Sequence, residues 1–186
     1  MSKAVLISIR PKWCELIASG KKTIEIRKTR PKLETPFKCY IYCTKTEKGE
    51  PFMLQTWDSH DFTCGKTYRA TSGGEIIGEF VCDRIFPIGV EQNGQFSEER
   101  GSGYSESYSA EGFQDCLLDD EFDSYLAGKI GYGWHISKLK IYFQPKPLSD
   151  YHSCSFCDYR GVCPDGSWCQ PLKRPPQSWC YVEELP

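Results

Sequence analysis

The chain has 186 residues, of which 14% are aromatic, with a formal net charge of −2 and a mean hydropathy of −0.51. This length is enough for one domain with a substantial core, and the overall charge is not that of a protein whose whole surface binds nucleic acid. No apolar run approaches the roughly 18 residues of a membrane span, and the amino terminus lacks the apolar core of a signal peptide. We therefore predict a cytoplasmic protein that does not bind a membrane.

The charges are unevenly distributed along the chain. Residues 1–50 carry a net charge of +7, residues 51–128 carry −11 and residues 129–186 carry +2. Lys28 and Arg30 belong to the basic part. A local basic region can attract a phosphate-bearing ligand even when the protein as a whole is acidic. The alternative is a chance run of charges on a solvated loop.

The first elements are a strand, a short helix and a second strand. The apolar pattern predicts a strand over residues 4–10 and a helix over residues 11–19, with Pro11 at the first helical position. Gly20 can adopt the left-handed conformation that ends such a helix. A strand is predicted next, over residues 22–28.

The strand over residues 22–28 contains the most informative group of charges. Alternation places Ile24 and Ile26 on one face and Glu25 and Arg27 on the other, and Lys22 at the turn can lean toward the polar face. One interpretation is a solvated surface pair, worth about 0–1 kcal/mol. The other is a cleft in which the two cations bind an anionic or carbonyl-bearing ligand and Glu25 orients them.

The middle of the chain alternates between clear strands and segments without periodicity. Alternating patterns predict strands over residues 38–43 and 75–83. Residues 45–72 show no period and are interpreted as a long excursion. Residues 89–112 have a loop composition and form either a disordered segment or a lid over the cleft. Helical spacing returns over residues 113–126.

The next segment contains two glycines and, after them, a large aromatic residue. Residues 131–136 lead into a predicted strand over residues 139–143, and two glycines flank Tyr132, which allows the backbone to approach a neighbour closely. Trp134 is a candidate for stacking on a nucleic-acid base, which is worth about 1–3 kcal/mol in single-strand binders. Its alternative role is packing in the core.

Four cysteines near the carboxyl end have the spacing of metal ligands. Two of them form a Cys-x-x-Cys pair, and two more follow within a few residues; they are Cys154, Cys157, Cys163 and Cys169. Four thiolates in short loops suit a structural zinc, and unligated loop thiols are the alternative. The odd total of eleven cysteines argues against a disulfide framework. The cysteines within helical or strand patterns are expected to pack as small hydrophobes: Cys14, Cys39, Cys43, Cys82 and Cys180.

The pattern Gly-x-Lys-x-x-Glu-x-Arg, formed here by Gly20, Lys22, Glu25 and Arg27, resembles the signature of ASCH domains, a branch of the PUA-like superfamily of small β-barrels. The sequences of residues 6–11 and 131–137 also resemble the corresponding segments of ASCH domains. The resemblance implies an α+β, mainly β fold, a PUA-like mixed β-barrel with flanking helices. The cysteine spacing adds a small cysteine-rich C-terminal knuckle, which departs from the usual ASCH layout.

The resemblance and the cysteine spacing together predict a domain organisation. Residues 1–148 would form the barrel, with the loop 89–112 mobile. Residues 149–173 would be a cysteine-rich insert, interpreted as a zinc knuckle. Residues 174–186 would be a segment that closes the barrel.

What the resemblance implies for function is binding of RNA, or of a nucleotide or modified nucleoside, in a cleft lined by Lys, Glu and Arg. Lys22 and Arg27 would contact phosphate or carbonyl oxygens, and Glu25 would fix Arg27 or accept from a base amino group. Trp134 would stack, and Arg10 would complete the rim. The oligomeric state is left open.

Two alternatives remain. Some small bacterial ASCH proteins hydrolyse the amide of acetylated cytidine with a lysine and a threonine of this strand. Lys22 matches that lysine, but Glu25 occupies the threonine position, so a hydrolase or ribonuclease here would use Lys22 and Glu25 as its catalytic pair. The other alternative is a protein-interaction module that uses the zinc knuckle.

Overall fold

The computed structural model describes residues 2–56, 67–88, 124–153 and 170–185. Its strands, in chain order, are β1 (Lys3–Ile9), β2 (Ile24–Arg27), β3 (Phe37–Cys43), β4 (Phe52–Thr56), β5 (Thr67–Thr71), β6 (Glu75–Ile88), β7 (Gly131–Lys146), β8 (His152–Ser153), β9 (Gln170–Pro171) and β10 (Trp179–Glu183). A helix, α1 (Pro11–Ala18), lies between β1 and β2, and one 3-10 turn (Leu148–Asp150) follows β7. The prediction of a mainly β protein is confirmed.

Eight of these strands form one sheet, in the order β2-β7-β6-β3-β1-β10-β8-β9, and β4 pairs with β5 separately. β1 and β3 run parallel, whereas every other pair in the described part of the chain is antiparallel. The sheet is therefore mixed, as predicted. The sequence order of β1, α1, β2 and β3 matches the predicted elements.

Two of the predicted segments differ from the structure. The excursion over residues 45–72 contains the hairpin of β4 and β5, whose weak alternation hid it. The last long strand begins at Gly131, well before residue 139, because its two glycines belong to the strand. A Cβ on Gly133 would lie 2.5 Å from the Phe86 ring, and one on Gly131 would lie 2.6 Å from Leu126. These are the close approaches that glycine permits.

Both faces of the central strands are buried. Along β1, Val5 and Ile7 belong to a large cluster with Trp134, whereas Leu6 belongs to a second cluster on the opposite face. We call the first the inner core and the second the tyrosine cluster, because its members include Tyr40, Tyr42, Tyr142 and Tyr151. Alternation along a strand separates the two faces.

The sheet curls so that β2 approaches β10, although β2 is the terminal strand of the order. The Trp179 indole nitrogen donates to Thr29 Oγ1 at 3.0 Å, and the Lys32 backbone N–H donates to Tyr181 Oη at 2.8 Å. Because these bonds join a segment after β2 to β10, the sheet surrounds the inner core.

The end of α1 sets the position of the following segment. Gly20 has φ +74°, as predicted. The Gly20 N–H donates to Ile17 O at 2.9 Å and the Lys21 N–H donates to Leu16 O at 2.9 Å, which is the pattern of a Schellman motif. The Lys22 N–H also donates to Leu16 O, at 3.0 Å. Lys22 is thus held beside the helix as the chain enters β2.

The predictions for the loop 89–112 and for most of the helix 113–126 concern residues outside the described ranges. Residues 124–126 are helical, and Gly128 has φ +69°. Across the described residues, no helix has the length and apolar character needed to cross a membrane.

Candidate functional site

The charged heads of Lys22, Glu25 and Arg27 meet in one place. Lys22 Nζ lies 3.6 Å from Glu25 Oε2, and Arg27 Nη2 lies 3.0 Å from Glu25 Oε1. These residues are only 2%, 6% and 7% exposed, respectively. The interpretation as a solvated surface pair is therefore wrong. We call these three residues the ion row.

The ion row faces inward because the apolar residues of β2 have their own partners on the other side. Ile24 and Ile26 pack with Phe86, Ile88 and Leu126 in a small separate cluster. Alternation then turns Glu25 and Arg27 toward the inner core. The apolar side of this strand is buried as well, so its polar side chains are enclosed instead of solvated.

The pairing of β2 with β7 fixes the neighbours of the row. Glu25 lies opposite Trp134, and Arg27 lies opposite Tyr132. Directly opposed residues of an antiparallel pair point to the same face. The row is therefore flanked on one side by the aromatic residues of β7.

Arg27 is held by groups from both ends of the chain. Its Nη2 donates to the backbone oxygen of Ser8 at 2.6 Å, and its Nη1 donates to Ser178 Oγ at 3.4 Å. Its buried Nε has no hydrogen-bond acceptor among the residues that the structure describes. One donor of the fork is thus available to a further acceptor.

Among the described residues, the ion row brings two cations to one carboxylate. Its charges act on their surroundings: burial is the main reason that the pKa of the Cys14 thiol lies well above its ordinary value, Cys43 and Glu25 raise it further and Arg27 lowers it. A buried charge without a counter-ion is costly. Such a site favours an anionic or carbonyl oxygen as its next partner.

Trp134 does not fit the predicted stacking role. Its side chain is 0% exposed and packs edge-on against Phe37, at a centroid distance of 6.0 Å, and against Trp179, at 5.9 Å. A base cannot reach either face of this ring. The alternative role, packing in the core, describes its position.

Arg10, the residue predicted to complete the rim, is placed at the beginning of α1. It precedes α1 in an extended conformation, and its backbone oxygen accepts from Trp13 and Cys14 in the first turn. Its side chain is exposed. Its charge lowers the pKa of Tyr125, a residue that the ion row also affects.

Tyr125 and Ser8 are site residues that the sequence reasoning missed. The pKa of Tyr125 is raised, first by burial, while Arg27 lowers it and Glu25 raises it, so its phenol lies within the field of the row. The sequence assigned Tyr125 to the apolar face of a helix and gave no sign that it met β2. Ser8 contributes a backbone oxygen, which no sequence pattern reveals.

The four candidate zinc ligands, Cys154, Cys157, Cys163 and Cys169, lie outside the described residues. Within the described ranges, no three His, Cys, Asp or Glu side chains are grouped so that they could hold a metal ion. The cysteines that the sequence predicts to pack as small hydrophobes are indeed removed from solvent, fully or in part. Cys14, Cys39, Cys43 and Cys82 are fully buried, and Cys180 is half-buried.

A comparison with protein-family models identifies the class to which this fold and site belong. The ASCH domain model matches residues 7–117, which is more than half of the chain and includes the whole ion row. The chain therefore belongs to the ASCH family, within the PUA-like superfamily.

Solved structures confirm the fold. The ASCH protein of Zymomonas mobilis matches with a TM-score of 0.52 at 16% identity, covering 97% of this chain and 88% of that one. A tyrosine-to-phenylalanine mutant of the same bacterial protein matches with a TM-score of 0.53 at 16% identity, covering 97% and 91% of the two chains. The predicted PUA-like β-barrel class is thus confirmed. No curated protein matches the chain significantly.

Proposed function

We propose that this protein binds RNA, or a nucleotide or modified nucleoside, at the ion row. PUA-like folds are often linked to RNA binding, which sets the class of ligand. One observation supports the ion row as the site: two buried cations share one carboxylate, while Arg27 Nε has no acceptor among the described residues. An oxygen of the ligand would supply the acceptor for Arg27 Nε.

In this proposal each residue has a distinct role. Arg27 presents a planar fork whose orientation is fixed by Ser8, Ser178 and Glu25. Lys22 supplies a point charge, and exposed Arg10 meets the ligand first, at the edge. Glu25 holds the two cations together, because each of its oxygens contacts one of them.

The same contacts favour binding over hydrolysis. A general base needs a carboxylate oxygen directed at the water that it activates. Both oxygens of Glu25 are occupied by cations, at 3.6 Å and 3.0 Å. We therefore expect binding without turnover, and incubation with acylated nucleosides and short RNAs followed by mass analysis checks this directly.

The decisive test compares two lysines of different surroundings. Lys22→Met removes a cation of the ion row, whereas Lys38→Met removes the half-buried lysine that pairs with Glu184 at 3.4 Å. Binding of short single-stranded RNAs, nucleoside monophosphates and nucleosides is measured by calorimetry on proteins whose folding is checked by circular dichroism. We expect Lys22→Met to weaken binding by about tenfold or more, which is at least ~1.4 kcal/mol, and Lys38→Met to leave it unchanged.

Arg27→Lys provides a second variant, because it keeps the charge and loses the fork. We expect it, too, to weaken binding. Affinity that falls with added salt would assign the contact to phosphate, and affinity independent of salt would assign it to a nucleoside carbonyl. The proposal is wrong if the unaltered protein binds none of these ligands, or if the variants at Lys22 and Lys38 bind equally.

We also propose, from the spacing of the sequence alone, that the four cysteines Cys154, Cys157, Cys163 and Cys169 bind a structural zinc. Elemental analysis of the purified protein is expected to find about one zinc per chain. A metal-free protein in which all of these thiols react freely with a thiol reagent would contradict the proposal.

A further inference from the structure

Three aromatic side chains near the ion row each carry a cation over the ring. Lys12 Nζ lies 4.4 Å from the centroid of Trp13, Lys28 Nζ lies 5.0 Å from that of Tyr125, and the Arg30 guanidinium carbon lies 5.5 Å from that of Tyr132. These distances are within the range of cation–π attraction. We call these six residues the aromatic rim.

The aromatic rim lies at both ends of the ion row. Trp13 is next to its beginning, since Lys22 Nζ is 5.3 Å from the Trp13 ring as well as 3.6 Å from Glu25. Tyr132 is next to its end, opposite Arg27. At about 3.3 Å per residue, a strand segment from Lys22 to Lys28 spans at most roughly 20 Å, which is longer than a single nucleotide needs.

The side chains of the rim are more exposed than those of the ion row. Lys12, Lys28 and Arg30 are exposed, Tyr125 is 37% exposed, and Trp13 and Tyr132 are half-buried. A fully buried ring such as Trp134 cannot accept a base, but a partly exposed ring can.

We propose that the aromatic rim binds single-stranded RNA, with bases stacked on its rings and phosphates held by Lys12, Lys28 and Arg30. The proposal rests on the function proposed above and extends it from one nucleotide at the ion row to a chain that crosses the rim. Alternating aromatic and basic side chains are the means by which proteins bind single strands with little sequence preference. An acidic peptide would use the cations alone and leave the rings without a role.

The test compares binding of an RNA oligonucleotide with binding of the nucleoside monophosphate from which it is built. Fluorescence anisotropy with labelled homo-oligonucleotides about ten residues long is set against calorimetry with the corresponding nucleoside monophosphates. We expect the oligonucleotide to bind at least about tenfold more tightly than the nucleoside monophosphate. Tyr125→Leu should weaken binding of the oligonucleotide by about 5-fold or more, as expected for loss of a stacking platform, and should weaken binding of the nucleoside monophosphate less.

Two controls separate stacking from charge. Tyr68→Leu removes a tyrosine of β5 that is 56% exposed and lies outside the rim, and it should bind like the unaltered protein. Tyr125→Phe should retain binding, because the ring is kept. Lys28→Met should weaken binding of the oligonucleotide to a similar extent for every base sequence. It should also make the affinity less dependent on salt, by the amount expected for the loss of about one phosphate contact.

The outcomes distinguish this proposal from the one on which it rests. If the nucleoside monophosphate binds but the oligonucleotide binds no more tightly, or if Tyr125→Leu and Tyr68→Leu behave alike, the rim proposal is wrong and the ion row remains the binding site. Equal binding of polyglutamate would likewise overturn it in favour of an acidic protein partner. If neither the nucleoside monophosphate nor the oligonucleotide binds, both proposals fail.

Discussion

The ion row and the tyrosine cluster are both buried polar regions, but the first consists of charged side chains and the second mainly of neutral phenols. On the inner face, Lys22, Glu25 and Arg27 are close enough to interact as charges. On the opposite face, Tyr142 donates to Glu79 at 2.5 Å, and the Tyr40 and Tyr151 rings meet edge-on at 4.8 Å.

The two regions differ in the charge that they hold. Burial raises the pKa of Tyr40 to about 12 and raises that of Tyr142 still further, so the phenols stay neutral and fill the core with few charges. Among the described residues, the ion row brings two cations to one carboxylate. Each region keeps one buried polar atom without a hydrogen-bond partner among those residues, Arg27 Nε and Tyr151 Oη, so the difference between them lies in charge.

The largest expected effect comes from removing the central carboxylate. Glu25→Gln leaves Lys22 and Arg27 buried beside one another without a counter-ion, and we expect it to lower the free energy of unfolding by about 3–5 kcal/mol. Urea unfolding monitored by circular dichroism measures the loss. Glu184→Gln is the matched control, because its partner Lys38 and Glu184 itself are 24% and 31% exposed, and it should cost about 1 kcal/mol or less. Equal losses would show that burial of the row contributes nothing special.

The tyrosine cluster should respond to alkaline pH. The unfolded pKa of tyrosine is about 10, and burial raises that of Tyr40 to about 12, so stability is fully present below pH ~10 and is lost as the pH rises toward 12. The loss attributable to Tyr40 should be about 3 kcal/mol. Tyr40→Phe should flatten this part of the pH profile, while Tyr68→Phe, at an exposed position, should not. A profile unchanged by Tyr40→Phe would mean that this phenol does not titrate with unfolding.

The smallest effect should come from an ion pair near the surface. Asp83 accepts from His135 Nδ1 at 2.5 Å; burial works against ionisation, but the hydrogen bond and the charge of His135 outweigh it and lower the pKa of Asp83. This contribution is present above the ordinary pKa of about 4 and is lost as the pH falls through the lower folded value. Asp83 is 43% exposed, so Asp83→Asn should cost less than about 1 kcal/mol at neutral pH. A cost as large as that of Glu25→Gln would remove the distinction between buried and exposed charges.

The order of the early elements could be predicted from the sequence, because local chemistry decides it. Pro11 opens α1 and Gly20 ends it, and alternation marks β1, β2 and β3. The hairpin of β4 and β5 was missed because its sequences, FMLQT and TYRAT, show no clear alternation of apolar and polar residues. The glycines of β7 misled the prediction, since a glycine in a strand has the same local pattern whether it breaks the strand or makes room for a neighbour.

The spacing of Glu25 and Arg27 along the chain by itself determined that these two side chains share one face of a strand, with Lys22 at the turn before it. Only the tertiary structure decided that this face is the interior, because Ile24 and Ile26 found a separate apolar cluster behind β2. The same folding placed Trp134 out of reach and brought Tyr125 within the field of the row. Periodicity is a property of neighbours in sequence, whereas burial depends on strands that pair from opposite ends of the chain.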